Sequence, residues 1–233
     1  MPSYLIKDTI AVENVIADWE PRLADRVYAV VQQDTTGHDI YHCLRVKQLA
    51  LRIAREEHLD PEIMVATAYL HDIGRDRERQ GQGDHVDIGM AEAQQILPAI
   101  AFPGPKVGAV VSCIEHHEEY AWAQSSRPLP QAVRGEILGF QDADRLDAIG
   151  AVGMARVFTF GGAYGQPLWH PHVKPGHWEH GTLGSSTYNH LHEKLFKLKD
   201  TMNTEAGRRL AAGRHQFMEQ FASQFEKEWM GQA

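Results

Sequence analysis

The chain has 233 residues, of which 43% are hydrophobic, and a formal net charge of -8 at pH 7. We do not expect an acidic chain to bind long nucleic acids, because that binding depends on basic surface that neutralises phosphates. The sequence contains no apolar run long enough for a membrane span and no basic leader followed by an apolar stretch. Cys43 and Cys113 lie in helical patterns, so we interpret them as buried thiols of a cytoplasmic protein.

Helical periodicity dominates the sequence. An amphipathic helix is predicted over 40–59. The next helix is predicted to begin with Asp60 as its N-cap and Pro61 in its first turn, and to close at Gly74. Further helices are predicted within 85–97, 103–118, 130–158 with a break near Gly150, 186–202 and 203–229. Since no alternating pattern of convincing length indicates a strand, we predict an all-α fold.

Two stretches rich in glycine and polar residues, 74–84 and 161–186, are predicted to be irregular. The second is long for a connection between packed helices, and long loops of this kind often form lids or binding loops. Its aromatic residues Tyr164, Trp169 and Trp178 could stack on a nucleobase, although such residues more often anchor a loop to its own core.

We find no internal repeat and no linker, so we predict one domain over 1–233 with a C-terminal helical extension at about 187–230. The last predicted helix carries Phe217, Phe221 and Phe225. We expect this apolar face to complete the core, and a homodimer interface is the alternative.

The stretch "YLHDIG" places His71 and Asp72 at the end of an apolar run. Buried imidazole and carboxylate groups lose hydration that hydrogen bonds or a metal ion must replace. Partners of the right chemistry occur elsewhere in helical segments: His42 in "YHCLRV", and the acidic residues Asp142, Asp144 and Asp147 in "QDADRLDAIG".

This order of residues resembles the HD superfamily of metal-dependent phosphohydrolases, whose pattern is H…HD…D. The resemblance implies an HD-type helical bundle and the metal ligands His42, His71, Asp72 and Asp144. Asp144 is preferred to Asp142 because "ADRL" matches the family's last ligand and its flanking residues. The resemblance continues through "DADRLDAIGAVGMARVF" and "HLHEKLFKLKDTMNTEAGRRLAAGRHQFMEQF", and is strongest to bacterial stand-alone members that are associated with hydrolysis of nucleotides, including deoxynucleoside triphosphates.

Two imidazoles and two carboxylates suit Mn²⁺, Mg²⁺, Co²⁺, Ni²⁺ or Fe²⁺, and we expect one ion rather than two. Such an ion can activate water and neutralise a phosphate oxygen, which predicts cleavage of a phosphate bond. We expect His71, Asp72 and Asp147 to act in catalysis. For Asp147, a role as the partner of a ligand histidine and a place on the helix surface are both open.

Additional histidines leave the number of ions open. His85 and the pair His116 and His117 in "IEHHEEY" stand where some HD enzymes carry ligands of a second ion, and His116 is the candidate named from the pair. With Asp72 as a bridge, they would make a two-metal phosphodiesterase for cyclic or short oligonucleotides. However, the Gly-Tyr-Pro segment that marks the cyclic-dinucleotide enzymes does not follow. A non-catalytic nucleotide sensor and a purely structural ion are further alternatives.

Basic residues near the predicted ligands are candidates for phosphate binding: Arg45, Arg75, Arg145 and Lys194. For any single one, a solvated position on the surface is the alternative. Lys194 is preferred because its "EKL" segment matches the family. The partner implied is a small anionic substrate, a nucleotide, and no membrane.

Overall fold

The structure is a computed structural model that describes residues 18–120, 128–179 and 182–233. Every regular element in these ranges is helical, which confirms the predicted all-α fold. The α-helices are α1 (Glu20–Val31), α2 (Ile40–Glu57), α3 (Pro61–Leu70), α4 (Arg75–Arg79), α5 (His85–Ala99), α6 (Val107–His116), α7 (Arg134–Asp147), α8 (Gly150–Ala163), α9 (Thr187–Glu193) and α10 (Glu205–Trp229). Short 3₁₀ helices cover Gly104–Lys106, Gln131–Val133 and Leu195–Thr201.

Aspartate caps fix the starts of three helices that carry site residues. The side chain of Asp39 accepts a hydrogen bond from the backbone N–H of His42 at the start of α2. Asp60 caps α3, with Pro61 in its first turn as predicted, and Asp84 caps α5. Each cap satisfies N–H groups that have no partner inside the helix and contributes about 1 kcal/mol.

Helix α3 is the central element. All its residues from Ile63 to Leu70 are buried, and it packs against α1, α2, α6 and α7. Its sides belong to different hydrophobic clusters: Met64 and Ala68 join the cluster of α2, α7 and α10, whereas Val65 and Tyr69 join that of α1, α5 and α6. The His-Asp pair that follows α3 is therefore delivered to the interior.

The predicted helices occur with local differences. The break near Gly150 is present, and this residue has a φ of +80° that favours glycine. The predicted helix over 186–202 is divided into α9 and a 3₁₀ helix at Lys194. The stretch 74–84 contains α4, and α1 was not predicted.

The long loop after α8 is fastened to α9. The buried Glu193 accepts a hydrogen bond from the backbone N–H of Gly176 at 2.9 Å. Asn189 donates to the carbonyl oxygen of Val173 at 2.9 Å. Trp169 packs on Tyr188, with 4.8 Å between their ring centroids. In the described part of the loop, these contacts indicate anchoring to the core.

The C-terminal helix α10 turns part of its aromatic face inward. Phe221 and Phe225 contact the ring of Phe158, whereas Phe217 is exposed.

Among the described residues, no helix combines the length and the apolar character that crossing a bilayer requires.

Candidate metal centre

A tight turn at the end of α3 presents the His-Asp pair. The last helical residue is Leu70, His71 forms the C-cap, and the turn closes at Gly74. A Cβ atom at Gly74 would lie 2.5 Å from the carbonyl oxygen of His85. Glycine therefore allows the start of α5 to pack directly on this turn, which brings His85 close to Asp72.

The four predicted metal ligands converge on one point. The Nε2 atoms of His42 and His71 are 3.1 Å apart. Asp72 Oδ2 lies 3.3 Å from His42 Nε2 and 3.4 Å from His71 Nε2, and Asp144 Oδ1 lies 3.7 Å from both. Residues from α2, the turn after α3, and α7 thus form what we call the first cluster: His42, His71, Asp72 and Asp144.

Each imidazole of the first cluster is oriented by a contact at its Nδ1 atom, on the side of the ring away from the cluster. His42 Nδ1 lies 2.8 Å from Asp147 Oδ2, and His71 Nδ1 lies 3.2 Å from the carbonyl oxygen of Ala68. Because both partners are acceptors, Nδ1 of each ring donates to them, which directs Nε2 of both rings at the cluster. This arrangement is typical of histidines that bind metal ions.

The charges of the first cluster also fit a cation. Burial by itself would raise the pKa of Asp144, but the imidazoles of His71 and His42 lower it below its ordinary value. Burial would lower the pKa of His71, yet the carboxylates of Asp72 and Asp144 raise it to about 10. The carboxylates are thus ionised and attract positive charge, which a divalent ion can supply in place of the proton.

Asp142 does not belong to the first cluster. It accepts hydrogen bonds from the backbone N–H groups of Asn203 and Thr204, at 2.8 Å and 2.7 Å, and from the Thr204 hydroxyl at 2.7 Å. These contacts fasten the start of α10 to α7. The choice of Asp144 over Asp142 as a candidate ligand thus agrees with the geometry.

Asp147, predicted to be catalytic, lies behind His42. Its carboxylate accepts from His42 Nδ1, from Arg45 Nε at 2.8 Å and from an Arg156 guanidinium nitrogen at 2.9 Å. Those partners lower its pKa although burial would raise it. Asp147 thus lies where a partner of a ligand histidine, one of its two predicted roles, would lie. Arg156 was not identified in the sequence, where nothing distinguishes it from other surface arginines.

A second group of donors lies on the other side of Asp72: His85 and His117. We call Asp72, His85 and His117 the second cluster. Asp72 Oδ1 is 3.7 Å from His117 Nε2 and 4.0 Å from His85 Nε2. The Nδ1 atoms again lie beside acceptors. His117 Nδ1 is 2.7 Å from the carbonyl oxygen of Ile114, and His85 Nδ1 is 2.8 Å from Glu78 Oε1.

Of the histidine pair, the structure places His117 rather than His116 beside Asp72. Consecutive helical side chains point about 100° apart, and here the two imidazoles of the pair diverge. His116 Nδ1 instead lies 2.9 Å from Glu119 Oε1. The sequence shows two adjacent histidines. Which of them faces Asp72 depends on how α6 packs against the core.

The four predicted phosphate-binding residues lie in different settings. Arg45 is paired with Asp147 and its side chain is 31% exposed. Arg75 donates to Asp72 Oδ1 at 2.8 Å and to Glu118. Lys194 Nζ lies 4.8 Å from the ring centroid of Tyr120 and 4.6 Å from that of Trp178.

Arg145, the fourth predicted phosphate-binding residue, lies in a buried setting. Its side chain is 4% exposed, and its guanidinium group donates to the carbonyl oxygens of Thr201 and Glu119 and to the side chain of Gln141. These contacts join α7 to neighbouring loops. The guanidinium group of Arg145 is thus engaged within the protein, and its role in phosphate binding stays a prediction.

His38 was also missed in the sequence. It lines a cleft together with Asp72, Arg75 and Arg79, and its ring centroid is 5.6 Å from that of His42. Its Nδ1 atom lies 2.9 Å from the Thr36 hydroxyl. Burial lowers the pKa of His38 to about 3, so the imidazole is neutral at physiological pH.

Comparisons with known proteins agree with this geometry. The HD domain model matches residues 39–149. The uncharacterized protein YpgQ of Bacillus subtilis is 34% identical over 207 residues, which are 88% of this chain and 91% of YpgQ. A crystal structure of YpgQ in complex with ADP has a TM-score of 0.65 and covers 88% of this chain and 97% of that chain.

Two further crystal structures are similar. An HD-superfamily hydrolase of Bacillus thuringiensis is 32% identical, with a TM-score of 0.67 and coverage of 90% of this chain and 96% of that one. A protein of Lactobacillus plantarum is 29% identical, with a TM-score of 0.75 and coverage of 94% and 100%. The chain therefore belongs to the HD-domain family and is an HD-superfamily hydrolase.

Proposed function

We propose that this protein is a metal-dependent phosphohydrolase that cleaves a phosphate bond of nucleotides, including deoxynucleoside triphosphates. The observation that carries the proposal is the first cluster, in which two imidazoles and two carboxylates from three parts of the chain converge. This mixed set of nitrogen and oxygen donors suits Mn²⁺, Mg²⁺, Co²⁺, Ni²⁺ or Fe²⁺. A divalent ion bound there would supply activated water and a Lewis acid for the phosphate.

The residues of the chain prepare this chemistry. His42 and His71 each turn Nε2 toward the first cluster because Nδ1 is held by an acceptor. Asp147 in turn is held by Arg45 and Arg156. The geometry of the donors is thus set before any ligand binds, which lowers the cost of reorganisation during the reaction.

A nucleotide as substrate is supported by similarity and by charge. YpgQ, 34% identical to this chain, has been crystallised in complex with ADP. Lys194 is a candidate for binding the substrate phosphates, because its ammonium group lies over two aromatic rings and, among the described residues, is not paired with a carboxylate. Arg45, partly exposed, is a second candidate. We place this activity in the cytoplasm.

A second candidate function is a two-metal phosphodiesterase that acts on cyclic or short oligonucleotides. It is favoured by the second cluster, which shares Asp72 with the first cluster and contains His85 and His117. Bridging carboxylates of this kind hold the two ions of many enzymes that cleave phosphodiesters.

Product analysis tests the proposal. The purified protein is stripped with a chelator, reloaded separately with each divalent ion, and incubated with ribonucleotides, deoxynucleotides and cyclic nucleotides. We expect metal-dependent release of phosphate or pyrophosphate by the wild-type protein and by D200A, whose side chain is 80% exposed. Asp144→Ala should abolish turnover. A metal-loaded, folded protein that leaves every nucleotide unchanged would contradict the proposal.

A further inference from the structure

The two clusters on either side of Asp72 differ in one respect. Among the described residues, the oxygens that face the first cluster, Asp72 Oδ2 and Asp144 Oδ1, pair with histidines, whereas a guanidinium group lies beside the second cluster. Arg75 Nε donates to Asp72 Oδ1 at 2.8 Å. The same oxygen faces His85 Nε2 and His117 Nε2. It is therefore already engaged on the side where a second ion would need it.

The other nitrogens of Arg75 complete its contacts with this cluster. One donates to Glu118, whose Oε2 lies 3.4 Å from His85 Nε2. The other lies 3.4 Å from His85 Nδ1 and 3.6 Å from Glu78 Oε2. The guanidinium group thus reaches three acidic residues with a planar set of donors, an arrangement that lysine could not reproduce.

We propose that Arg75 is a built-in cation that takes the place of a second metal ion, so that the second cluster is a cryptic metal site. Asp72 would then help to hold the ion of the first cluster, while its Oδ1 accepts from the guanidinium group of Arg75. The inference extends the proposed function by assigning one ion to the native enzyme. It rests on the assignment of the first cluster as a metal site, and it does not depend on the substrate.

Steric and electrostatic reasons oppose a second ion while Arg75 is present. A divalent cation near His85 and His117 would compete with the guanidinium group for Asp72 Oδ1 and would lie close to a positive charge. Without Arg75, the same space offers two imidazoles, Asp72 and Glu118. This mixed set of nitrogen and oxygen donors suits Mn²⁺ or Fe²⁺.

Metal counting tests the inference. The wild-type protein, Arg75→Ala and Arg75→Met are stripped, reloaded with Mn²⁺, freed of excess ion and measured by elemental analysis. We expect one ion per chain in the wild-type protein and two in both variants. The methionine variant keeps much of the side-chain volume, so it is less prone to unfold than the alanine variant. Circular dichroism shows whether each variant keeps its fold.

Two controls make the result specific. Arg79→Ala removes an arginine one turn further along, which pairs with Asp34 and Asp76 rather than with the cluster, and it should still bind one ion. Combining Arg75→Met with His117→Ala should return the count from two ions to one. Electron paramagnetic resonance of the Mn²⁺ form gives an independent readout, since two ions bridged by Asp72 are spin-coupled and a single ion is not.

Two results would overturn the inference: two ions in the wild-type protein, or a single ion in folded variants that lack Arg75. The proposed function fails separately, because it depends on nucleotide turnover. A wild-type protein that binds one ion and gains another on loss of Arg75, yet hydrolyses no nucleotide, would contradict the proposed function alone.

Discussion

The carboxylate of Asp147 orients the imidazole of His42 without belonging to the first cluster. Asp147→Asn keeps the shape of the side chain but removes its charge and weakens its hold on Nδ1–H. Loss of such a partner typically reduces metal affinity by about 10–100-fold. We expect this reduction in titration calorimetry with Mn²⁺, and we expect activity to recover at high metal concentration.

Recovery of activity at high metal concentration distinguishes a positioning role of Asp147 from direct participation in the chemical step. If Asp147 took part in the chemical step, saturating Mn²⁺ would restore binding but not kcat. The matched control is Asp200→Asn, whose side chain is 80% exposed, which should leave metal affinity unchanged.

Arg145 is expected to matter for stability rather than for substrate binding. Arg145→Met would leave the carbonyl oxygens of Thr201 and Glu119 without their donor. Each buried polar group left unsatisfied costs about 1–3 kcal/mol. Chemical denaturation should show a lower free energy of unfolding, while KM for the substrate stays near the wild-type value. A large rise in KM with unchanged stability would contradict this assignment.

At the scale of elements, the packing of α5 on the turn after α3 depends on Gly74. Gly74→Ala would place a Cβ atom 2.5 Å from the carbonyl oxygen of His85 and 2.9 Å from Ile88 Cβ. Overpacking of this kind typically costs about 1–3 kcal/mol. We expect a lower melting temperature together with weaker metal binding, because Asp72 lies in the same turn.

Gly108→Ala is the matched control. Gly108 lies within α6, and a Cβ atom there would meet nothing within 4 Å. Alanine is favoured over glycine in a helix by roughly 0.5–1 kcal/mol, so this variant should be slightly more stable than the wild-type protein. Equal losses of stability in both variants would mean that the close approach at Gly74 is not the cause.

The elements also show which features could be predicted. Local signals such as the Asp60 N-cap, Pro61 and the apolar periodicity act over a few residues, so they predicted the helices. The first cluster was predicted because its residues follow a recognisable order. Whether His116 or His117 faces Asp72, and what holds the Arg145 guanidinium, depends on contacts between distant segments, which periodicity does not encode.

For the whole molecule, metal binding should be linked to stability. An ion that binds only the folded chain stabilises it by about 2.7 kcal/mol when its concentration is 100 times Kd. We expect chelation to lower the melting temperature and Mn²⁺ to restore it in a concentration-dependent way. Asp144→Ala should not respond to Mn²⁺ in this manner. Scanning calorimetry at several metal concentrations measures both effects.

Helix α3 lies between the two hydrophobic clusters that form the core. The His-Asp pair, which belongs to the first cluster of candidate metal ligands, lies at the end of that helix. The first cluster gathers its donors from α2, α7 and this turn. A bound ion therefore ties α2 and α7, which pack in one hydrophobic cluster, to the turn after α3, whose Ile73 packs in the other. We therefore expect metal binding to make unfolding more cooperative. The metal-loaded protein should unfold as one unit, whereas in the stripped protein one half can unfold before the other.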